Sequence, residues 1–303
     1  MAAAEAVCGG DGLDPGEVLE GLFRLVDRSL VVATGGIPAR FGLLESLRAY
    51  GAERLVEAGE AQAVAARHTA WCLDLAEEAA AHRTARPWLQ KVAADYDNLR
   101  AALDRAMADG DHDTALRLAG ALGWYWWTDR TIEGRQLVAG ALALADGQPP
   151  SLQLARALQA AAMLEVSLTP SAATTEAARR SQELLERFGD RWGAAFSKLL
   201  VAFAELQRTG PSEDGARLVE EADATFVELG DPWGEAYAER ARFSFEVYHR
   251  GLSTGAEEAG QRALAQFGAL DDQWDWPRPT SAWPRSPRPG AIWTRRWRAS
   301  RAR

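Results

Sequence analysis

Apolar positions three and four apart begin at Val18, and Val18, Leu19, Leu22, Phe23 and Val26 fall on one face of a helix. Asp14-Pro15 opens it with a capping carboxylate and a first-turn proline. Two short runs, Leu30 to Ala33 and Arg40 to Leu44, flank the Gly35-Gly36 turn and predict a β-hairpin. Helical spacing returns over Glu45 to Glu57 through Leu47, Tyr50 and Leu55, and Gly59 stops it. Helix, hairpin and helix within 13–60 predict a winged-helix-like module. Residues 1–12 are small and glycine-rich, carry no core pattern, and are expected to be disordered. From residue 61 onward the pattern is helical without a strand. Helices are predicted over 61–82, 88–108, 113–128, 131–146 and 151–168, and 61–148 forms a helical region between the module and a C-terminal repeat.

The segment 113–128 differs from the rest. Between Thr114 and Thr128 its only charge is Arg117, and it ends in Trp124, Tyr125, Trp126 and Trp127. A helix apolar all round must be enclosed by other helices. Ala119, Gly120, Ala121 and Gly123 would let those neighbours approach closely.

Residues 185–215 match a copy of the chain shifted by 41. Phe188, Gly189, Asp190, Trp192, Gly193, Ala195 and Phe196 meet Leu229, Gly230, Asp231, Trp233, Gly234, Ala236 and Tyr237, and Gly210 meets Gly251. A further shift adds Leu270, Asp272 and Trp274, and lays Ala222 and Phe226 on Ala263 and Phe267. A fixed period of this length, with two helices per unit, predicts a helical solenoid over 149–275. Gly189-Asp190 and Gly230-Asp231 combine a helix stop with the cap of the next helix. Trp192 and Trp233 then begin that helix and cover the junction between units. Ala222 and Ala263 mark the closest approach of paired helices. All of these positions read as packing, and the fold class is mainly α: a small winged-helix module with a β-hairpin, then a right-handed α-solenoid of helix pairs like those of tetratricopeptide repeats (TPR).

Charge sharpens the picture. The net charge is -9, yet residues 276–303 hold eight arginines and no acid, so removing those eight positive charges leaves -17 on residues 1–275. A body that acidic repels phosphate backbones. Residues 13–60 carry five arginines against eight acids, so direct DNA binding through the module is not expected. Cys8 and Cys72 are too few for a disulfide framework or a zinc site. No basic leader and no run of 18 apolar residues are present, so a cytoplasmic protein with no membrane contact is expected.

Several stretches together resemble one family: LVDRSLVV (25–32), RFGLLESLRAYGAERLVEAGE (40–60), RHTAWCLDLAEEA (67–79) and DYDNLRAALDRAMADGDHDTALRLAGALGWYWW (95–127). With the repeats, they resemble the C-terminal half of actinobacterial transcriptional regulators of the AfsR and LuxR type. Those are signal-transduction (STAND) ATPases in which a nucleotide-binding NB-ARC domain precedes a winged helix and a tetratricopeptide array. The resemblance implies that the winged helix closes over that ATPase domain and that the repeats sense an inducer or partner. It carries over no nucleotide site. The pattern GxxxxGK[ST] is absent, and Leu43-Leu44-Glu45 stands where relatives have Met-His-Asp, with leucine in place of the histidine. ATP or ADP is therefore expected only on an upstream domain that this sequence lacks.

The end of the chain departs from the pattern. After Trp274, prolines 277, 279, 284, 287 and 289 alternate with Trp and Arg, which no helix survives. Two readings stay open: a disordered basic tail that binds acidic surfaces, or a shifted reading frame in GC-rich DNA. On either reading the chain is expected to be truncated at both ends, with fraying from about residue 255.

Candidate chemistry is sparse. His68, His82, His112 and His249 lie far apart without metal-ligand spacing, and Cys72 sits on an apolar helical face. Asp95 and Asp97, two apart, point to different faces. No catalytic, cofactor or metal residue is assigned, and no enzyme is expected. The expected function is that of a regulatory fragment of such a regulator, binding a protein or small-molecule inducer through the repeats and an NB-ARC-type ATPase domain through the winged helix. The alternative is a stand-alone TPR-like scaffold unrelated to transcription.

Overall fold

A computed structural model describes residues 2–10, 12–35, 39–251 and 253–270. Asp272, Trp274 and the tail over 276–303 lie outside the described residues, as does the turn at 36–38. Among the described residues the chain forms fourteen helices and one two-stranded antiparallel hairpin. It divides into two compact units, Met1–Leu75 with Asn98–Ala102, and Ala76–Asp97 with the residues from Leu103 onward.

The first unit holds α1 (Ala2–Cys8), α2 (Pro15–Asp27), β1 (Val31–Thr34), β2 (Arg40–Leu43), α3 (Glu45–Glu57) and the start of α4 (Ala61–Ala81). The stretch 1–12, expected to be disordered, instead carries α1, because an Ala-rich run has high helix propensity. The Arg67 Nε donates to the Val7 carbonyl at 2.8 Å and holds its end. Helix α2 begins with a capping box: Asp14 Oδ1 accepts from Gly16 N and Glu17 N, and Glu17 Oε2 accepts from Asp14 N. The strands pair from Val31 with Leu43 to Thr34 with Arg40. The apolar face read for α2 is only partly covered: Val18 is buried, Leu19, Leu22 and Val26 are half-buried, and Phe23 is 48% exposed. Helix α3 buries nothing.

The second unit continues with α5 (Arg86–Ala94), α6 (Tyr96–Asp109), α7 (His112–Thr128), α8 (Thr131–Leu144), α9 (Leu152–Val166), α10 (Ala172–Arg187), α11 (Arg191–Thr209), α12 (Glu213–Leu229), α13 (Pro232–Arg250) and α14 (Thr254–Ala269). The single helix expected over 88–108 is two, broken at Asp95, whose φ of -109° and ψ of 16° leave the helical region. From α7 to α14 each helix packs on the next, and α7, α9, α11 and α13 also touch in succession.

Helix α7 is enclosed as its composition demands, with Leu116, Leu118, Ala119, Leu122 and Trp126 at most 2% exposed. A Cβ on Gly123 would stand 2.7 Å from the Ala160 Cβ, so a bare backbone is what lets α9 lie this close. Ser181 and Ser197, buried between α9, α10 and α11, are partnered, whereas the Thr175 hydroxyl on α10 has no partner among the described residues. Ser181 Oγ donates to the Ala155 carbonyl and meets Ser197 Oγ at 3.0 Å, and Gln159 donates to Ser197 Oγ and to the Gly193 carbonyl. Such satisfaction is what makes buried polar groups tolerable.

Helix starts recur with the period. Ser171, Ser212 and Ser253, each 41 residues on from the last, cap α10, α12 and α14 by accepting from Thr174, Gly215 and Ala256 N. The final helices are also joined by charge. Arg242 on α13 binds both oxygens of Glu220, at 2.8 and 2.7 Å, as well as Asp223 and Glu239, and Arg262 on α14 binds Glu239. The Arg242 guanidinium holds the Glu220 carboxyl below the usual range, and Lys198 does the same for Glu221.

Gly123→Val should lower stability by about 1–3 kcal/mol in urea melts, because added methyls overfill a closed contact. A carboxylate with a depressed folded pKa stabilises above its unfolded pKa and loses that contribution as pH falls through the folded one. The melting-temperature gap between the native chain and Arg242→Met should therefore be present at neutral pH and close as pH falls below the ordinary glutamate range.

Candidate functional site

In the second unit aromatic rings gather where α11 and α13 begin. Asp190 and Asp231 are the N-caps of α11 and α13: their Oδ1 atoms accept from Gly193 N at 2.9 Å and Gly234 N at 2.6 Å. The glycines before them, Gly189 and Gly230, have φ of 77° and 63°, a left-handed turn that a side chain would strain. This fixes Trp192 and Trp233 as the second residue of each helix. Each tryptophan then stacks on the aromatic one turn later, Trp192 on Phe196 at 5.3 Å and 20°, and Trp233 on Tyr237 at 5.1 Å and 13°. Ala222 and Ala263 are fully buried, and Phe226 and Phe267 beside them nearly so. A Cβ on Gly234 would fall 2.3 Å from the Phe226 ring. The same glycine-aspartate device stands ahead of α7, where Gly110 has φ of 74° and Asp111 accepts from Thr114 N. It lies off the period, so a search by spacing does not find it.

The two tryptophans also meet each other, with ring centroids 6.1 Å apart, and both meet Trp124 from the end of α7, at 6.1 and 5.4 Å. Phe196 and Tyr237 extend the cluster. Trp127 closes one side, with its Nε1 donating to Ser167 Oγ at 2.6 Å. Burial pushes the Tyr237 hydroxyl pKa up, and it lowers that of Arg240, whose guanidinium lies over the Tyr237 and Phe203 rings. Tyr96, which accepts from Trp126 Nε1 at 3.0 Å, is pushed up to about 12 by its burial.

The turn between α4 and α5 lies on this cluster, a contact that periodicity could not suggest. The Arg83 guanidinium sits 4.1 Å from the Trp192 ring centroid and 5.6 Å from that of Trp233, and donates to Asp231 Oδ2 at 2.8 Å. Thr84 is buried, and its Oγ1 accepts from Trp233 Nε1 at 3.2 Å. Arg83 has φ of 49°, left-handed for a residue with a side chain, a conformation that costs about 1–3 kcal/mol and persists only when its surroundings hold it. Trp233 is 7% exposed, whereas Trp192 is half-buried with its indole N–H enclosed and without a hydrogen-bond partner among the described residues.

Other candidates are less organised. His68 lies beside Cys72, with Sγ 3.8 Å from Nε2, and Cys72 is fully buried. His82 stacks on Trp88, and His112 and His249 lie in end turns of α7 and α13. Among the described residues no group of three His, Cys, Asp or Glu could hold a metal ion, and no helix is long and apolar enough to cross a membrane. A cleft of about 380 Å³ between α12, α13 and α14 is lined by Glu220, Arg242, Glu258 and Arg262. In the first unit Leu25, Val32, Leu44, Tyr50 and Val56 are 41–68% exposed.

Trp233→Ala should cost about 3–5 kcal/mol, as large aromatics do when removed from a closed core. Trp192→Ala should cost clearly less. Equal losses in parallel urea melts would contradict the difference in burial.

No family model matches the chain. Over 130 residues it is 38% identical to a protein of Mycobacterium bovis and to two of Mycobacterium tuberculosis, from strains CDC 1551 and H37Rv, each named "Putative HTH-type transcriptional regulator". The matched stretch is 42% of this chain and 15% of each of those proteins, so the similarity is to a small part of much longer transcriptional regulators.

Proposed function

We propose that this chain is a regulatory and sensing segment of a transcriptional regulator of the signal-transduction ATPase kind. Helices α9–α14 act as a right-handed array of TPR-like pairs that binds a protein partner or a small inducer. The observation that carries the array is the recurrence of helix starts: serine caps 41 residues apart on α10, α12 and α14, and glycine-aspartate turns 41 apart before α11 and α13, each setting a stacked tryptophan. Identical local chemistry at a fixed interval supports identical units whose stability comes from stacking on neighbours. The link to transcription is supported by the 38% identity to the mycobacterial regulators.

Residues 13–60 serve as a winged helix that engages an ATPase domain of NB-ARC type rather than DNA. The exposed leucines and valines of that module support a protein contact, and its excess of acids opposes phosphate. The segment acts by binding, without catalysis, and ATP or ADP belongs to another domain.

The test compares transcripts in a host lacking the chain and in the same host restored with it, alongside ATP turnover by the pure protein. A discrete set of altered transcripts and turnover no faster than buffer are expected. Unchanged transcripts would favour an interaction scaffold with no link to transcription, and reproducible hydrolysis would overturn the non-enzymatic role.

A further inference from the structure

We infer that Trp192, Trp233 and Asp231 form a recognition site for an arginine side chain of a peptide, and that Arg83 occupies it as an internal stand-in. The inference rests on the reading of the helix pairs as a binding array and names what they bind.

The two capping aspartates show what the site is built for. Each uses Oδ1 for its helix start and leaves Oδ2 for a guanidinium. Asp190 Oδ2 accepts from Arg156 at 3.0 Å, a residue of the neighbouring helix α9. Asp231 Oδ2 receives its guanidinium from Arg83, 148 residues away in sequence, on a turn that is not part of the helix pairs. A neighbour's side chain is a packing partner. A remote turn inserted between a carboxylate and two indoles has the form of a ligand.

The chemistry selects arginine. A planar guanidinium can lie on an indole face while one of its N–H groups reaches a carboxylate, whereas an ammonium is a strongly hydrated point charge. The following residue is read as well, since the Thr84 hydroxyl takes the Trp233 indole N–H. Two features are left over for an external peptide. The Trp192 indole N–H is enclosed with no acceptor among the described residues, and a backbone carbonyl would supply one. A recess of about 270 Å³ beside the turn, lined by His82 to Pro87 with Trp233 and Leu270, offers room for flanking residues. The left-handed φ of Arg83 means that the occupant is held under strain, which an unstrained peptide would not carry. The net negative charge of the chain favours the approach of a cationic segment.

An occupant tethered to its own site competes at an effective concentration of about millimolar or above, so the native chain should bind an outside arginine weakly. The test uses Arg83→Gly, which removes the guanidinium and suits the positive φ. The probe is acetyl-Ala-Arg-Thr-Ala-amide, with acetyl-Ala-Lys-Thr-Ala-amide as control, followed by calorimetry and by the indole N–H signals of Trp192 and Trp233 in NMR spectra. R83G should melt cooperatively and bind the arginine peptide at least tenfold more tightly than the native chain does. It should prefer that peptide over the lysine one and lose the gain when Asp231→Asn is added. Equal binding by native chain and R83G, equal binding of the two peptides, or an R83G chain that no longer melts cooperatively would overturn the assignment, the last by making Arg83 a structural plug. Each of these failures leaves the transcript comparison unaffected, so the two readings fall separately.

Discussion

A carboxylate oxygen bound to a backbone N–H three residues on decides where α11 and α13 begin, and most of the second unit depends on it. With Asp190 and Asp231 as caps, the tryptophan two residues later can point in only one direction, back over the turn that precedes its helix. Both indoles therefore converge on the same space, where Trp124 at the end of α7 meets them. Moving a cap by one residue would rotate its indole about 100° around the helix axis and dismantle the cluster. A local hydrogen bond that nets about 1 kcal/mol by itself thus sets the position of side chains worth several times more.

The caps can act this way because the helices approach closely enough for the rings to touch. Gly123 admits α9 against α7, and Gly234 admits the Phe226 ring against α13. Small residues at the contacts and large ones at the helix starts divide the work: the former set spacing, the latter fill what the spacing leaves. Where polar groups are enclosed by the same closeness, as with Ser181, Ser197 and Gln159, they are joined to one another and to carbonyls, which ties three helices together at little cost.

The two units are built to opposite ends. The second encloses most of its apolar residues, down to Trp126 and Leu164 at complete burial, and leaves Ile132, Phe188, Val227 and Leu229 exposed. The first leaves Phe23, Leu44 and Val56 in water and gives α3 no buried residue at all. A unit of this size encloses only a small core, here around Val18, Val31, Cys72 and Leu99. Its exposed apolar side chains stay in water, whereas the second unit's aromatic cluster is covered by the turn carrying Arg83 and Thr84.

Local chemistry repeated at a fixed interval was readable in one dimension. Gly189-Asp190 and Gly230-Asp231 as turns with caps, α7 as an enclosed helix, Cys72 as a buried residue and the hairpin between α2 and α3 all depend on neighbours a few residues away or on a recurring spacing, and a sequence displays both. The serine caps at 171, 212 and 253 had the same legibility and were missed, as was Gly110-Asp111. The break at Asp95 and the helix at Ala2–Cys8 were hidden because propensity only weakly separates one long helix from two, or a short helix from none. Tertiary structure alone decided that Trp192 and Trp233 share one cluster, that Trp124 completes it, and that Arg83 lies upon it. Those contacts join residues up to 149 positions apart, and no rule of spacing or composition links an arginine in a turn to a cap that far along the chain, since only the stacking of the intervening helices carries the two ends of that distance to one point.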